Sequence, residues 1–275
     1  MREYKFSVLM SVYYREEPEF LRLALESNLE KQSLIPDEMV LVCDGPLTEE
    51  LDKTIAEFEK RYPDILKVFR LEKNGGLGNA LNFGLERCSY DWVARSDSDD
   101  ICHPDRFRLQ LEFLENNPDV DIISSYIDEF DEDWTCPVHK KEMPTDHDGI
   151  VNMAKFRNPI NHMSAMFRKK AVTDVGSYQH LPYVEDYYLW VRAIVNGARL
   201  ANVPEYLVHA RIGNGMVKRR GNRAYIGSWK TLNKYMLENK MIGTLSYCKN
   251  MIAVRVFVYM PVGMKEFVYK YIFRK

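Results

Sequence analysis

Three carboxylates, Asp97, Asp99 and Asp100, stand within four residues, just past a short apolar run that reads as a strand, Trp92–Ala94. In an extended segment Asp97 and Asp99 point the same way, because successive side chains alternate between two faces. Two like charges this close are costly unless something positive lies between them. A divalent cation such as Mg²⁺, which takes carboxylate and substrate phosphate oxygens, fits this pattern. The alternative is a solvated acidic turn that caps the helix starting near Pro104.

A second pair of acids, Glu185 and Asp186, precedes the aromatic run Tyr187–Trp190. An aspartate near a hydroxyl can accept its proton as that hydroxyl attacks, so Asp186 is a candidate general base. The structural alternative is that both acids stabilise the positive end of a helix dipole. The six histidines lack the spacing H-E-x-x-H, and only His209, close before Arg211, is a candidate for reaching a metal or phosphate.

Two polar stretches follow other predicted strands. Asp44 ends the second strand, at the same sheet edge as Asp97, and could accept a hydrogen bond from a base or a sugar. Its structural alternative is to stabilise the turn at Gly45. The stretch Asn74–Asn79 lies at a helix N-terminus, which is a ready site for an anion or a polar ligand. It is not a dinucleotide fingerprint, since Leu81 stands where the third glycine should be.

The elements that must position these residues alternate between strand and helix over the first hundred residues. The predicted strands are Phe6–Val12, Glu38–Cys43, Ile65–Leu71 and Trp92–Ala94. The predicted helices are Glu19–Lys31, a segment capped by Thr48 and ending at Tyr62, and a segment opened by Gly75 and Gly76. Such alternation predicts a parallel sheet with right-handed crossovers. Ligands of open α/β sheets bind where the strands end, so the acidic residues lie in the favoured place.

After Pro104 the alternation gives way to a mixed order. We expect helices over Arg106–Glu115 and Val184–Val195, strands over Val120–Tyr126, Met163–Phe167 and Val203–Ala210, and irregular structure over Asp128–Asp133. Residues 211–223 are rich in Gly, Arg and Lys and are predicted to form a loop.

The composition is that of an ordinary globular protein. Of the 275 residues, 46% are hydrophobic and 28% charged, enough for a sizeable core. The start, Met1–Val12, reads as a strand, and we expect no signal peptide there. The five cysteines are widely spread without a C-x-x-C pair, so we expect reduced thiols in a cytosolic compartment, not a zinc site or a disulfide framework.

The net charge of −2 conceals an asymmetry along the chain. From residue 211 to 275 there are 14 Lys and Arg against two acids, so this part carries +12 and the preceding part −14. A basic tail on an acidic body suggests that the tail faces an anionic surface or ligand.

Five stretches taken together, in this order, resemble the family-two inverting glycosyltransferases with the nucleotide-diphospho-sugar transferase (GT-A) fold. The likeness covers about residues 5–212 and rests on Ser7–Tyr14, Val42–Gly45, Asn74–Asn82, Asp97–Asp100, and Gly176–Tyr178 leading to Val184–Trp190. A finer likeness to bacterial exopolysaccharide, capsule and O-antigen enzymes of the amylovoran and colanic-acid type is carried by Met10–Tyr14, Arg211–Met216 and Arg219–Gly221. A processive, cellulose-synthase-like enzyme is disfavoured, since the chain has no Q-x-x-R-W and no transmembrane segment.

The resemblance implies an α/β GT-A fold, in which helices flank a mostly parallel central sheet, with a basic helical tail. It divides the chain into a GT-A domain, residues 1–212, and a basic loop with an amphipathic helical tail, residues 213–275. Within the domain, residues 1–103 would bind the nucleotide and residues 104–212 the acceptor.

The resemblance also implies residue roles. The nucleotide-binding residues would be Val12, Tyr13, Asp44, Asn74, Gly78, Asn82, Asp97 and Ser98. Asp99, with Asp97 and His209, would ligate a Mn²⁺ or Mg²⁺ that bridges the donor diphosphate, and Asp186 would be the base. The residues expected to meet a diphosphate of donor or acceptor are Arg211, Lys218, Arg219 and Arg220.

The expected reaction is inverting transfer of a sugar from a nucleotide-diphosphate sugar, UDP-linked in most such enzymes, to a growing lipid-linked oligosaccharide of a bacterial surface polysaccharide. The expected partners are the donor, a lipid-pyrophosphate-linked saccharide, the inner face of the cell membrane and a second copy of the chain, with no nucleic acid. We expect Leu245–Lys275 to lie on that membrane without crossing it. Its most apolar run, Met251–Val262, has 12 residues and contains Arg255 and Pro261, whereas a spanning helix needs about 20 apolar residues.

Three alternatives stay open at this point. A metal-dependent nucleotidyltransferase would need a basic phosphate loop after the first strand, where Tyr13–Glu17 is acidic overall. A catalytically silent homologue that only binds sugar or partners is disfavoured by the presence of both Asp99 and Asp186. The tail, in turn, could pack on the catalytic domain or on a second copy of the chain.

Overall fold

The computed structural model describes residues 4–212, 223–261 and 263–264. Within them, nine strands form one sheet with the order β3-β2-β1-β4-β8-β6-β9-β5, and β7 pairs with β6 at its side. The strands are β1 Phe6–Val12, β2 Glu38–Cys43, β3 Leu66–Arg70, β4 Trp92–Ser96, β5 Ile101–Cys102, β6 Ile122–Phe130, β7 His139–Lys141, β8 Met166–Arg168 and β9 Leu200–Arg211. The helices are α1 Pro18–Leu29, α2 Glu49–Arg61, α3 Leu77–Arg87, α4 Arg106–Asn116, α5 His147–Met153, α6 Lys169–Thr173, α7 Glu185–Val195, α8 Arg223–Glu238 and α9 Thr244–Tyr259, with a 3₁₀ turn at His162–Ser164.

The first four strands are parallel, as the alternating pattern predicts. β1 lies between β2 and β4, and β3 pairs with the outer side of β2. Both β1 and β2 are buried on both faces, which explains their continuous apolar runs. Because the strands run the same way, their last residues meet at one edge of the sheet.

Beyond β4 the sheet is mixed. β8 is antiparallel to β4 and β6, whereas β6 and β9 are parallel. The predicted irregular structure is wrong for Asp128–Phe130, because β6 continues to Phe130 through its pairing with β9. The predicted strand over Met163–Phe167 is shorter, since its first residues form the 3₁₀ turn. In β6, the acidic residues Asp128 and Glu129 hid the strand pattern, because the pairing partner β9 lies far along the chain.

Local signals account for how the helices are set. The Thr48 hydroxyl accepts a hydrogen bond from the amide of Leu51 and caps α2, as predicted. α3 lies close against the sheet at Gly84, where an added Cβ would come within 2.5 Å of a Leu9 methyl group and 2.8 Å of a Val42 methyl group. This close approach sets the depth of α3 on the sheet.

Two apolar layers cover the sheet. One face packs against side chains of α1, α2 and α4, and the other against side chains of α3 and α7. Representative core residues are Leu21, Leu25, Leu51, Ile55, Phe107 and Leu111 in the first layer, and Leu81, Leu85, Leu189 and Trp190 in the second. The core therefore holds the strand ends in a fixed arrangement.

The two C-terminal helices pack on each other and on α7. Leu232 and Met236 of α8 join a cluster with Tyr187 and Val191 of α7. The side-chain amide of Asn250 in α9 donates to the Asn233 side chain at 2.7 Å and to a backbone carbonyl of the domain at 2.8 Å. The first part of the tail thus packs on the preceding α/β part of the chain, one of the alternatives that the sequence left open.

The opposite face of α9 is apolar as well. Leu245, Ile252, Val256 and Tyr259 are 56–70% exposed and recur at helical spacing. The helix is thus apolar on two opposite faces and differs from the simple amphipathic pattern expected of it. In the described part of the chain, no helix is both long and apolar enough to traverse a bilayer.

Candidate active site

The ends of β1, β2 and β4 bring three predicted site residues to one edge of the sheet, here called the carboxyl-terminal edge. Val12 is paired with Cys43, and Met10 with Ser96. The residues that follow these strands are Tyr13, Asp44 and Asp97. Val12 is buried, whereas Tyr13 is 39% exposed and its ring meets that of Tyr14 edge-on. An exposed aromatic ring at this edge is available to a ligand.

Asp44 fixes the loop before α3. Its carboxylate accepts hydrogen bonds from the backbone amides of Gly75 at 2.7 Å and Gly76 at 3.0 Å, and its carbonyl accepts one from the Asn74 side chain. Gly45 has φ +88°, and a Cβ there would lie 2.6 Å from the Asn74 nitrogen. The turn role given as the structural alternative for Asp44 therefore includes hydrogen bonds to residues 30–32 positions away in the chain.

Asn82 and Gly78 meet the segment Gly176–Tyr178. The Asn82 side chain donates to the Tyr178 carbonyl at 2.7 Å and accepts from the Tyr178 amide at 2.8 Å. An added Cβ at Gly78 would lie 3.6 Å from the Tyr178 Cβ. The resemblance assigned Asn82 to the nucleoside, yet its amide group already serves this contact between α3 and the segment before α7.

The acidic cluster is defined by Asp97, Asp99 and Asp100, whose carboxylate oxygens lie within 4.8 Å of one another. Asp97 forms an ion pair with the buried guanidinium of Arg95. Asp100 is buried and accepts the Arg211 amide at 2.8 Å through one oxygen. Burial, and then the charge of Asp99, raise the pKa of Asp100 well above its usual range. Its second oxygen has no hydrogen-bond partner within the described residues.

This cluster suits a divalent cation. Carboxylate oxygens are the ligands that Mg²⁺ and similar ions prefer, and three of them converge here. The orphaned buried oxygen of Asp100 and the crowding of like charges both favour a positive ion. Sequence reasoning had proposed Asp99 and Asp97 as ligands and gave Asp100 no role, since only the fold shows that Asp100 faces the other two.

Arg211 closes one side of the acidic cluster. Its guanidinium lies 3.6 Å from the ring centroid of Phe20 and 4.5 Å from that of Phe130. Its Nε donates to the Asp99 carbonyl at 3.3 Å. The guanidinium of Arg211, a residue expected to meet a diphosphate, is thus held next to the candidate metal ligands. Lys218, Arg219 and Arg220, predicted for the same role, lie outside the described residues.

His209 takes a different position. Its Nδ1 is hydrogen-bonded to Asp128 at 2.7 Å, and its ring lies 5.3 Å from that of Trp134. It pairs with Ile101, just after the acidic cluster in the chain. Among the described residues, the group of mutually close metal ligands does not include His209. Its Nδ1 serves the pairing of β6 with β9.

Glu16 is a site residue that sequence reasoning missed. Its carboxylate accepts the Ser98 hydroxyl at 2.5 Å, inside the acidic segment. Burial raises the pKa of Glu16, the Ser98 hydrogen bond opposes this, and the charge of Asp99 adds to it. The hydroxyl of Ser98, predicted to bind nucleotide, thus joins the loop after β1 to the acidic cluster. No local signal marks a contact across 82 residues.

Asp186 stands at the first turn of α7. Its carboxylate accepts the side-chain amide of Asn158 at 2.6 Å. Nearby, the buried Tyr178 hydroxyl meets the His162 ring at 2.9 Å. Burial raises the pKa of Tyr178, the charge of Arg95 opposes this, and that of Asp186 reinforces it. The charges of Asp186 and Arg95 therefore act on the same buried tyrosine, in opposite directions.

A cavity of about 430 Å³ opens beside Asp186. It lies between the start of α7, residues 156–158 and the two C-terminal helices. A candidate base on the wall of a cavity is placed to meet a substrate.

The chain is similar to known protein families and to solved structures. Residues 7–176 match Glycosyl transferase family 2, and residues 92–273 match Glycosyl transferase family group 2. The solved structure of S. aureus TarS 1-349 in complex with UDP-GlcNAc has a TM-score of 0.67 at 20% identity, covering 93% of this chain and 73% of that one. It shows that the fold is the GT-A fold expected from the sequence.

Two relatives cover almost the whole chain. The amylovoran biosynthesis glycosyltransferase AmsE of Erwinia amylovora is 41% identical, over 96% of this chain and 98% of that protein. The UDP-Gal:alpha-D-GlcNAc-diphosphoundecaprenol beta-1,3-galactosyltransferase of Escherichia coli is 38% identical, over 98% and 97%. These matches overturn the nucleotidyltransferase alternative. The chain belongs to glycosyl transferase family 2 and is a glycosyltransferase.

Proposed function

We propose that this protein transfers a sugar from a UDP-sugar to a saccharide that is joined through a diphosphate to a polyprenyl lipid, with inversion at the anomeric carbon. The observation that carries the proposal is the acidic cluster at the carboxyl-terminal edge together with Asp186 beside a cavity. The E. coli relative, by its name, uses such a donor and such an acceptor. The AmsE relative supports a role in surface polysaccharide synthesis.

The donor binds at the carboxyl-terminal edge. Tyr13 offers an exposed ring for the base, and the loop fixed by Asp44 flanks the nucleoside. Asp99 and Asp100, with Asp97, would hold a Mn²⁺ or Mg²⁺ ion, which would supply Lewis-acid stabilisation of the negative charge on the diphosphate. Arg211 adds a fixed positive charge beside it.

The acceptor hydroxyl is activated by Asp186. As the hydroxyl oxygen bonds to the anomeric carbon, the bond from that carbon to the phosphate oxygen breaks. The proton passes to Asp186 and UDP departs. The Asn158 hydrogen bond holds the Asp186 carboxylate in place. One base and an in-line displacement give inversion, and no second carboxylate nucleophile is needed.

The protein works at the inner surface of the cell membrane. The exposed apolar side chains Leu245, Ile252, Val256 and Tyr259 of α9, here called the outer stripe, form one face of the helix. Large apolar groups beside Lys and Arg are typical of an interfacial segment. The remaining basic tail, residues 265–275, lies outside the described residues.

Flotation with liposomes that contain acidic lipids tests this location. We expect the full chain to float and the double variant Ile252→Asp, Val256→Asp to remain in solution. Thr231→Asp, an exposed position on α8, is the control and floats like the wild type. Equal flotation of all three proteins, or of none at low salt, contradicts the membrane contact.

A panel of nucleotide sugars tests the reaction. With a lipid-linked acceptor extract and Mn²⁺, one UDP-sugar should release UDP, and chelation of the metal should stop the release. The absence of release from every nucleotide sugar, with acceptor and metal present, would refute the proposed function.

A further inference from the structure

The lining of the cavity beside Asp186 is more apolar than the binding of a sugar alone requires. Six aromatic side chains line it: Phe156, Tyr183, Tyr187, Tyr225, Trp229 and Phe257. Val184 and Val254 add aliphatic surface. Such walls take up apolar ligands, and we call this space the aromatic cavity.

Two cations, two amides, the candidate base and an alanine complete the lining of the aromatic cavity: Arg157, Lys249, Asn158, Asn250, Asp186 and Ala253. Arg157 is adjacent in the chain to Asn158, which holds the base Asp186. Within the described residues, neither Arg157 nor Lys249 is ion-paired with a carboxylate. Positive groups without an acidic partner beside an apolar wall fit an anion that carries a hydrocarbon chain.

Helix α9 connects the aromatic cavity to the outside of the molecule. Lys249, Ala253 and Phe257 recur every four residues and line the cavity. Ile252 and Val256 of the outer stripe lie at the positions before two of these residues, on the neighbouring face of the helix. A chain that leaves the cavity past Lys249 therefore meets the outer stripe next.

We propose that the aromatic cavity binds the diphosphate and the first isoprenoid units of the lipid-linked acceptor. Arg157 and Lys249 bind the diphosphate, and the aromatic rings hold the prenyl chain. This assignment rests on the proposed function, because it places the acceptor sugar at Asp186. The volume of about 430 Å³ lies within the range of small-molecule sites, about 300–1,000 Å³. It therefore takes the head of the lipid, and the rest of the chain continues along the outer stripe.

Farnesyl diphosphate, a short prenyl diphosphate without sugar, tests the aromatic cavity directly. We expect it to bind the full chain and to quench the fluorescence of Trp229. Ala253→Trp places a large ring in the cavity from an exposed helical position, and it should weaken the binding about tenfold or more. Ala56→Trp, the same change at an exposed position of α2, should leave it unchanged.

The charges are tested separately. Arg157→Gln and Lys249→Gln should each weaken farnesyl diphosphate about tenfold, the usual worth of a charge-assisted hydrogen bond. Neither should alter the binding of farnesol, which has no diphosphate. Lys230→Gln, an exposed cation on α8, is the control and should bind both probes like the wild type.

The binding of UDP with Mn²⁺, measured on the same proteins, separates this proposal from the proposed function. Farnesyl diphosphate that binds Ala253→Trp as tightly as the wild type overturns the cavity assignment, even if UDP binds normally. Displacement of the probe by a lipid-free acceptor saccharide, with no loss in Arg157→Gln, would show that the cavity holds sugar instead. If the wild type does not bind UDP with any divalent ion, the proposed function is contradicted. The farnesyl diphosphate result then still decides whether the aromatic cavity binds a prenyl diphosphate.

Discussion

The two edges of the same sheet use buried acids in opposite ways. At the amino-terminal edge, where β1, β2 and β4 begin, Glu38 is 2% exposed. Its carboxylate accepts four hydrogen bonds, from the Ser7 hydroxyl, the Lys67 ammonium, and the amide and hydroxyl of Ser89. Burial acts to raise the pKa of Glu38, but these hydrogen bonds outweigh it, so the pKa is lowered.

At the carboxyl-terminal edge the buried acid of the acidic cluster, Asp100, has a hydrogen-bond donor on only one of its two carboxylate oxygens within the described residues. Three carboxylates crowd together, and the pKa of the buried Asp100 is raised. A buried acid with every lone pair satisfied stabilises the fold, whereas a buried acid that is short of one donor and crowded by like charges favours a cation from outside. We therefore infer that Glu38 at the amino-terminal edge stabilises the fold and that the acidic cluster at the carboxyl-terminal edge takes part in the reaction. Each inference can be tested.

Asp186→Asn should give the largest effect on function. Removal of a general base lowers turnover by about 10²–10⁴-fold. Donor binding should be unchanged, because the proposed function places Asp186 at the acceptor hydroxyl, and so should the thermal unfolding midpoint. Steady-state rates and UDP titration measure the two effects. Turnover like that of the wild type would move the base elsewhere, and Glu185, whose pKa is raised chiefly by burial, is then the first candidate.

Glu38→Gln should lower the free energy of unfolding by about 2–4 kcal/mol, since the amide cannot accept from all four donors and the Lys67 charge loses its partner. The KM for the donor should not change. Denaturant titration measures the loss. Glu57→Gln, at an exposed acid paired with Arg22, is the control and should unfold at nearly the same denaturant concentration as the wild type. A Glu38→Gln protein as stable as the wild type would contradict the stabilising role.

The lowered pKa of Glu38 predicts that the free energy of unfolding depends on pH. The pKa of Glu38 is lower in the folded state than in the unfolded state. Its contribution is therefore present above the unfolded pKa of about 4.3 and is lost as pH falls through the folded pKa. The difference in unfolding free energy between the wild type and Glu38→Gln should narrow from about pH 6 to about pH 3. A constant difference would mean that the charge of Glu38 is not what stabilises the fold.

Asn82→Ala should have the smallest effect. The substitution removes two hydrogen bonds to the Tyr178 backbone, which lowers the free energy of unfolding by about 1–3 kcal/mol. Thermal unfolding measures this loss of stability. Asn79→Ala, which loses one hydrogen bond to the Gly75 carbonyl, is a milder comparison. A loss of donor affinity without any loss of stability would return Asn82 to the nucleotide-binding role that the resemblance gave it.

The sequence was most informative where local patterns decide the structure. Continuous apolar runs predicted the parallel strands, and Thr48 marked the start of α2. Contacts between distant segments could not be predicted. The continuation of β6 past Asp128 depends on its register with β9, and the role of Glu16 depends on a loop folding over Ser98.

The two apolar faces of α9 are another feature that the sequence alone could not predict. The sequence of Leu245–Tyr259 identifies a helix rich in apolar residues. Only the packing of Met251, Val254 and Val258 distinguishes the buried face from the exposed one. Likewise, the motif around Asp97 predicted a metal site, but Asp100 joined it only through the fold.

The most direct test of the contrast measures two quantities on three proteins. Calorimetry gives UDP affinity with and without Mn²⁺, and thermal unfolding gives the midpoint, for the wild type, Asp99→Asn and Glu38→Gln. Asp99→Asn should lose the metal-dependent part of UDP binding and keep or raise its midpoint, because one of the crowded charges is gone. Glu38→Gln should keep its UDP affinity and unfold at a lower temperature. Unchanged metal-dependent UDP affinity in Asp99→Asn would contradict the assignment of the carboxyl-terminal edge to donor binding.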